Sequence, residues 1–421
     1  MSMEINYQKI QIVHACNDNC LFCYDKWNHM YGRASDWDFS KKDILEKIRT
    51  AYIKTAKNYM VFTGGEASMD KNIILYIEEA KKVGYEKIEL ITNGVRFSDA
   101  RFTESVINAW LTGLNMSIHG PNWKIHDFLT RHPRAFEKIL RWLVNIRKLQ
   151  KNFEISVYIV INDINLNYIE ETINLLRKFD IRKFDLLQLI PFGNALSNKY
   201  LFIKDKRELQ ARLKEIFERY KDEDIILGWS HLINPPVYEG FEDKMVDISN
   251  LRSDIDKNLW RDWKLDFVSE SFARCNGWVF CDNCYLNEYC TQLEKRHEKV
   301  WESSKELIYV NELFSSGLPK TFKEFHKRIQ GLSFNEQIVN IPKCISWEDV
   351  SFDTFHSFAK SRWIVPDFMN YNNWFFEHGY LTKSLRCETC SENTKCKGAP
   401  VKILQKYGFS ILQAIPWDAN R

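Results

Sequence analysis

Six times between residues 7 and 190, a short run rich in β-branched and aromatic residues gives way to a segment with helical apolar spacing. The strand runs are 7–13 (YQKIQIV), 58–62 (NYMVF), 87–92 (KIELIT), 113–118 (GLNMSI), 154–161 (EISVYIVI) and 183–190 (KFDLLQLI). Helices are expected over 40–56, from about residue 70 to 82, through about residue 111, over 134–150 and after residue 167. Ile44, Leu45, Ile48 and Tyr52 share one helical face, and Ser40 with Asp43 resembles a capping box. A helix between two strands returns the chain to the end it left, so the pattern demands a parallel sheet. Right-handed crossovers would curl it into a complete or partial barrel. The expected class is therefore α/β.

In such a sheet, functional groups gather at the carboxyl ends of the strands. Cys16, Cys20 and Cys23 follow the first strand with spacing C-x3-C-x2-C, with Phe22 inside and Tyr24 after them. Gly64, Gly65 and Glu66 follow the second strand, TNG (92–94) the third, and Ser117 in SIHG (117–120) the fourth. Asn162 and Asn165 follow the fifth, and PFGNA (191–195), with Pro191 and Phe192, follows the sixth. All would line one mouth. A closed zinc site takes four ligands and a disulfide takes two cysteines, so three thiolates leave a metal position free for chemistry. The competing reading is a zinc site completed by His14. Taken singly, Gly64-Gly65 reads as a turn, and Ser117, Asn162 and Asn165 read as caps. His119, His126 and His132 read as surface or satisfied core histidines.

Eleven cysteines are distributed unevenly: three within 16–23, none over 24–274, and eight from 275 onward. An odd count points to metal or redox chemistry rather than disulfides. The eight are Cys275, Cys281, Cys284, Cys290, Cys344, Cys387, Cys390 and Cys396, and C-x2-C-x5-C occurs at both 281–290 and 387–396. Two quartets follow, 275/281/284/290 and 344/387/390/396, each sufficient for a 4Fe-4S cluster; an interleaved partition and zinc are the alternatives. The expected organisation is a core over 1–200, a helical connection over 201–260 and a mixed, cysteine-rich region over 261–421, in which Trp278, Trp301, Trp347, Trp363, Trp374 and Trp417 pack.

Lys and Arg total 59 against 56 Asp and Glu, a net charge of +3, which gives no clustered basic face for nucleic acid. The mixed-charge run 204–224 reads as a solvated helix face. No stretch of eighteen apolar residues predicts a membrane span, and the first residues lack a basic then apolar signal pattern. The expected compartment is the cytoplasm, where thiols stay reduced.

C-x3-C-x2-C followed by an aromatic, with Gly-Gly-Glu after the next strand, resembles the radical S-adenosylmethionine (radical SAM) superfamily over roughly residues 5–200. The resemblance implies a partial (β/α)6 barrel. It implies that Cys16, Cys20 and Cys23 bind three irons of a 4Fe-4S cluster, whose fourth iron chelates S-adenosylmethionine. Reductive cleavage then gives a 5′-deoxyadenosyl radical that takes a hydrogen atom from substrate. By the same resemblance Tyr24, Gly64, Gly65 and Glu66 border the methionine moiety, Ser117 and Asn165 the ribose or carboxylate, and Pro191 the adenine. The tail resembles SPASM or twitch extensions, which hold auxiliary clusters, here two 4Fe-4S clusters. It departs from the SPASM pattern at Glu294 and Pro400, where a further cysteine is expected. The implied partner is a reductant such as flavodoxin or ferredoxin. The implied activity is an oxidoreductase or maturase acting on a peptide or protein side chain by oxidation, crosslinking or epimerisation. A sugar, nucleoside or other small molecule is the alternative substrate, and a non-catalytic zinc-stabilised binding protein is the alternative of another class. With the first strand beginning near Tyr7, no leader-binding or cobalamin domain is expected ahead of it.

Overall fold

The structure is a computed structural model that describes residues 7–23, 40–55, 58–150, 153–189, 193–226, 238–244, 308–309, 318–330, 338–339, 342–346 and 380–416. The chain divides into two units. One comprises residues 4–205 with 211–228; the other comprises 1–3, 206–210 and 229–421.

The first unit is built on seven strands in sequence order: β1 (Gln8–Val13), β2 (Tyr59–Gly64), β3 (Lys87–Thr92), β4 (Gly113–Ser117), β5 (Glu154–Ile161), β6 (Lys183–Gln188) and β7 (Asp224–Ile226). Every neighbouring pair is parallel. Between them run α1 (Lys41–Thr55), α2 (Ile73–Val83), α3 (Ala100–Asn108), α4 (Trp123–Thr130), α5 (Ala135–Leu149), α6 (Ile169–Arg177), the short α7 (Asn194–Ser197) and α8 (Lys206–Arg219). The six-strand reading is thus corrected to seven. Residues 224–226 pair with β6 at Lys183, Phe184 and Asp185, where the sequence reading placed a helical connection. Three residues are too short to show a period of two, so only the partner strand identifies them.

Alternation along the strands explains how the sheet is covered. On β5, Ile155, Val157, Ile159 and Ile161 are buried, whereas Glu154, Ser156, Tyr158 and Val160 are only half-buried. The opposite face carries polar groups: Glu89 accepts hydrogen bonds from Tyr59 and from Asn115 (2.7 Å), and Lys87 lies 3.0 Å from it. A closed (β/α)8 barrel fills that face with Val, Ile and Leu. Here it is lined rather than packed, and the sheet runs from β1 to β7 as an open series. Capping acts as the sequence implied at α1, where Asp43 N donates to Ser40 Oγ at 3.2 Å.

In the second unit the described elements are β8 (Ile308–Tyr309), α9 (Phe322–Gln330), β9 (Ile338–Val339), α10 (Lys343–Ser346), β10 (Leu381–Thr382), β11 (Ala399–Pro400) and α11 (Val401–Tyr407). β8 and β9 pair in parallel, and β10 and β11 pair antiparallel, bracketing residues 383–398. Among the described residues, no helix is long and apolar enough to cross a membrane.

Candidate active site

The three-cysteine segment leaves β1 through a register shift between Gln11 and Val13, which re-aims the chain. It is then fastened from three sides. Toward the sheet, Gly65 N donates to Val13 O (2.9 Å), Glu66 N to Ala15 O (2.8 Å), and Asn93 Nδ2 to Asn17 Oδ1 (2.7 Å). Toward α4, Asn19 N donates to Thr130 O (3.0 Å) and Leu21 N to Leu129 O (2.8 Å). Toward α7, Asn194 Nδ2 donates to Cys20 O (2.7 Å), Asn194 N to Cys23 O (2.8 Å) and Asn198 Nδ2 to Leu21 O (3.0 Å). Backbone groups that would otherwise be free are thereby satisfied in a segment without regular structure. Buried Asp18 adds a side-chain tie, 2.6 Å from His132 Nδ1, and its own N–H points at Cys16 Sγ at 3.4 Å.

Gly64 and Gly65 are required by this fastening. A Cβ on Gly64 would lie 2.3 Å from Val13 O, and one on Gly65 would lie 2.2 Å from His14 O and 2.6 Å from Ala15 O. Only glycine lets β2 end this close to the cysteine segment. Glu66 is 1% exposed. Its carboxylate accepts from Ser68 N (3.0 Å), Thr92 Oγ1 (2.6 Å) and Asn93 N (2.6 Å), so it caps the turn after β2 and ties that turn to the end of β3. Burial pushes its pKa up, against these three bonds.

Ser117 closes β4 and is half-buried. Asn165 is buried, and its amide is committed within the protein. Nδ2 donates to His119 O (3.0 Å) and Val160 O (2.9 Å), and Oδ1 accepts from Asn162 N (2.8 Å). A ligand bond to this side chain would have to displace one of these. Asn162 is likewise a turn former, accepting from Ile164 N at 3.1 Å. His119 and His126 are buried with stacked rings, and each Nδ1 accepts a backbone N–H: from Val160 for His119, from His119 for His126 (both 3.2 Å). Burial holds His119 well below the ordinary histidine pKa and His126 at about 3. Both are neutral, satisfied core histidines.

The three thiols sense one another. Burial, followed by the negative charges of Asp18, Cys23 and Cys16, pushes the Cys20 thiol up. Cys16 is pushed up to about 12 by burial, with Asp18, Glu66 and Cys23 adding to the shift. Without a metal, Cys16 and Cys20 hold their protons at neutral pH. With iron the same crowding becomes a ligand set.

A second gathering lies in the other unit. Cys344, Cys387, Cys390 and Cys396 line a cavity of about 20 Å³ together with Lys383 and Glu392. Cys344 comes from α10; Cys387 lies in the 3-10 turn Leu385–Thr389, and Cys390 caps it. Cys396 is set by its N–H on Glu392 O (2.8 Å) and receives Gly398 N at 3.3 Å. Gly398 has φ +93°, and a Cβ there would lie 1.9 Å from Thr382 O. The Cys344 thiol is pushed up to about 11, mainly by burial and also by the charges of Cys396, Cys387 and Cys390. Among the described residues, no three His, Cys, Asp or Glu side chains close on a point as they would around a single metal ion. Tyr24, Pro191, Cys275, Cys281, Cys284 and Cys290 lie outside the described residues.

Sequence reasoning did not single out Asp18 or Asn198, which act through partners distant in the chain. Asn93 and Asn194 stood in the quoted segments TNG (92–94) and PFGNA (191–195) without a stated role, and His132 was read as a surface or core histidine.

Residues 10–176 match the family described as the Radical SAM superfamily. Among curated proteins, the chain is similar to a "Probable GTP 3',8-cyclase" of Saccharolobus islandicus (strain Y.N.15.51 / Yellowstone #2), 26% identical over 220 residues, covering 49% of this chain and 64% of that protein. A "Probable GTP 3',8-cyclase" of Saccharolobus solfataricus is 27% identical over 216 residues, with the same coverage. The chain thus spans 64% of the length of these relatives. Among solved structures, "Native anSMEcpe with bound AdoMet" has a TM-score of 0.41 at 18% identity, covering 52% of this chain and 64% of that one. "Crystal structure of Streptococcus suis SuiB bound to precursor peptide SuiA" has a TM-score of 0.43 at 13% identity, covering 55% and 50%.

Proposed function

The chain carries a radical SAM domain over residues 10–176, and from this we propose that Cys16, Cys20 and Cys23 hold a 4Fe-4S cluster at which S-adenosylmethionine is cleaved to start hydrogen abstraction. The observation that carries the reading is the triply fastened segment that brings three thiols to the carboxyl ends of a parallel sheet. When bound, the cluster and S-adenosylmethionine supply the electron-driven C–S cleavage that yields a 5′-deoxyadenosyl radical. The protein's residues do the rest. The bonds to Gly65, Glu66, α4 and α7 fix where the three thiolates point. Buried Glu66 keeps the ends of β2 and β3 together, and the backbone of Gly64 and Gly65 presents the methionine-facing rim. Ser117, at the end of β4, would border the ribose or the methionine carboxylate.

The tail quartet Cys344, Cys387, Cys390 and Cys396 is proposed to hold an auxiliary 4Fe-4S cluster. The four cysteines lining one cavity supply the four-thiolate donor set of a cubane. Cys275, Cys281, Cys284 and Cys290 are proposed as the ligands of a second auxiliary cluster.

The substrate is proposed to be a peptide or protein side chain, on the strength of the repeated C-x2-C-x5-C tail. The matched curated cyclases favour a second reading, a nucleotide or other small molecule. Anaerobic assays for 5′-deoxyadenosine test both levels. Cys20→Ala is expected to abolish its formation, and retained formation would sink the core assignment. GTP that stimulates its formation and is itself converted would move the assignment to the nucleotide reading.

A further inference from the structure

Three charged side chains line the four-cysteine cavity: Lys343, Lys383 and Glu392. Lys343 Nζ stands 4.0 Å from Glu392 Oε1, so those two charges largely offset. Lys383 is placed differently. Its ammonium donates to Asn393 O (2.6 Å) and Asn393 Oδ1 (2.8 Å), both neutral oxygens, so these bonds fix its position without cancelling its charge. Lys383 follows directly on β10, and Asn393 lies between Cys390 and Cys396, so the clamp spans the cysteine turn. Lys383 lines the same cavity as the four sulfurs. Backbone N–H groups bond to two of them, Gly398 N to Cys396 Sγ at 3.3 Å and Ile415 N to Cys390 Sγ at 3.2 Å. At the three-cysteine site the neighbouring charged group is a carboxylate, that of Asp18, whose N–H lies 3.4 Å from Cys16 Sγ and whose Oδ1 lies 2.6 Å from His132 Nδ1.

Positive charge and N–H···S bonds stabilise the extra electron of a reduced iron–sulfur cluster, whereas nearby carboxylates disfavour it. We infer that Lys383, clamped by Asn393, raises the reduction potential of the cluster held by Cys344, Cys387, Cys390 and Cys396, making that site an electron acceptor relative to the three-cysteine site. The inference rests on the proposal that this quartet holds a 4Fe-4S cluster. The redox event is a one-electron reduction of that cluster from the 2+ to the 1+ level. The electron comes from a chemical reductant in the test below. In turnover it would come from the one-electron oxidation of a substrate radical, with the accompanying proton leaving to solvent.

The test is a potentiometric titration of the anaerobically reconstituted full chain, followed by electron paramagnetic resonance and by iron content. A Cys387→Ala/Cys390→Ala variant identifies the quartet's signal. Lys383→Met is expected to lower the reduced-to-oxidised ratio of that signal about tenfold at a fixed potential, ~59 mV for one electron. Lys383→Arg should restore it, and the signal of the three-cysteine site should not move. Asn393→Asp, which supplies the ammonium with a carboxylate, should shift the quartet's signal in the same direction as Lys383→Met, and it decides the matter if the Met variant assembles poorly. An unchanged quartet potential in Lys383→Met or, failing that, in Asn393→Asp overturns the role of Lys383. Iron content equal to wild type in the double cysteine variant overturns instead the proposal that the quartet is a cluster site.

Discussion

Gly65 carries no side chain because the His14 and Ala15 carbonyl oxygens occupy the place where a Cβ would go, at 2.2 and 2.6 Å. Overlap with backbone cannot be relieved by a rotamer change, so β2 or the cysteine segment must move. Gly65→Ala is therefore expected to cost about 1–3 kcal/mol of stability, as overpacking does. It should also lower iron at the three-cysteine site while sparing the quartet. Thermal unfolding and iron per chain measure both effects, and a variant with wild-type iron would show that the close approach does not position the thiols. The Gly-Gly-Glu motif was legible as a site marker, but its physical reason was not. Glycines beside a candidate ligand site suggested room for a ligand, and the contact they serve lies behind them, on Val13 at the end of β1 and on His14 and Ala15 just after it. The reason for Glu66 was hidden in the same way, because two of its three partners, Thr92 and Asn93, lie a strand away.

At the scale of elements, the turn after β4 and helix α4 are joined through two neutral imidazoles. His119 accepts from β5, and His126 accepts from the His119 backbone. Each ring must stay unprotonated on the nitrogen that accepts. Both folded pKa values lie below the unfolded value near 6.5, that of His126 at about 3. The unfolded chain thus binds more protons as acid is added, and stability declines as pH falls through 6.5 toward 3. The midpoint of thermal unfolding should drop steadily between pH 7 and 4, by a few kcal/mol in equivalent stability. A His126→Asn variant should show a shallower slope, and an identical slope would place the acid sensitivity elsewhere. Helices α1, α2, α3, α5, α6 and α8 and six of the seven strands were legible from the sequence because their spacing persists over several residues; α4 and α7 were not read as helices. β7 was not, since three residues carry no period. The histidines were read as surface or core residues without a choice between the two, and the stacking of His119 on His126 depends on a turn geometry that composition does not encode.

For the whole molecule, the cysteine bookkeeping predicts metal content. If each set holds a cluster, three thiols on the sheet unit and four around the Lys383 cavity would account for two, and the four cysteines outside the described residues for a third. Protein isolated without oxygen should carry about twelve irons and as much acid-labile sulfide. About four irons with zinc would keep the three-cysteine site and turn the tail into a zinc-stabilised region. The division into a strand–helix half and a cysteine-rich half was visible in where the cysteines fall. Which of them meet was visible only as spacing, and the structure brings one quartet to a common cavity. The fastening of the three-cysteine segment also sets an order of events during synthesis. Its thiols emerge among the first two dozen residues, but Asn194 and Asn198, which hold Cys20 and Leu21, follow 174 and 177 positions later. A nascent chain that has not yet delivered α7 therefore presents the three thiols without the ties at Cys20, Leu21 and Cys23. A ribosome stalled before residue 194 would yield a fragment that has all three ligands of this site, bonded toward β2 and α4, and lacks the third side of the grip.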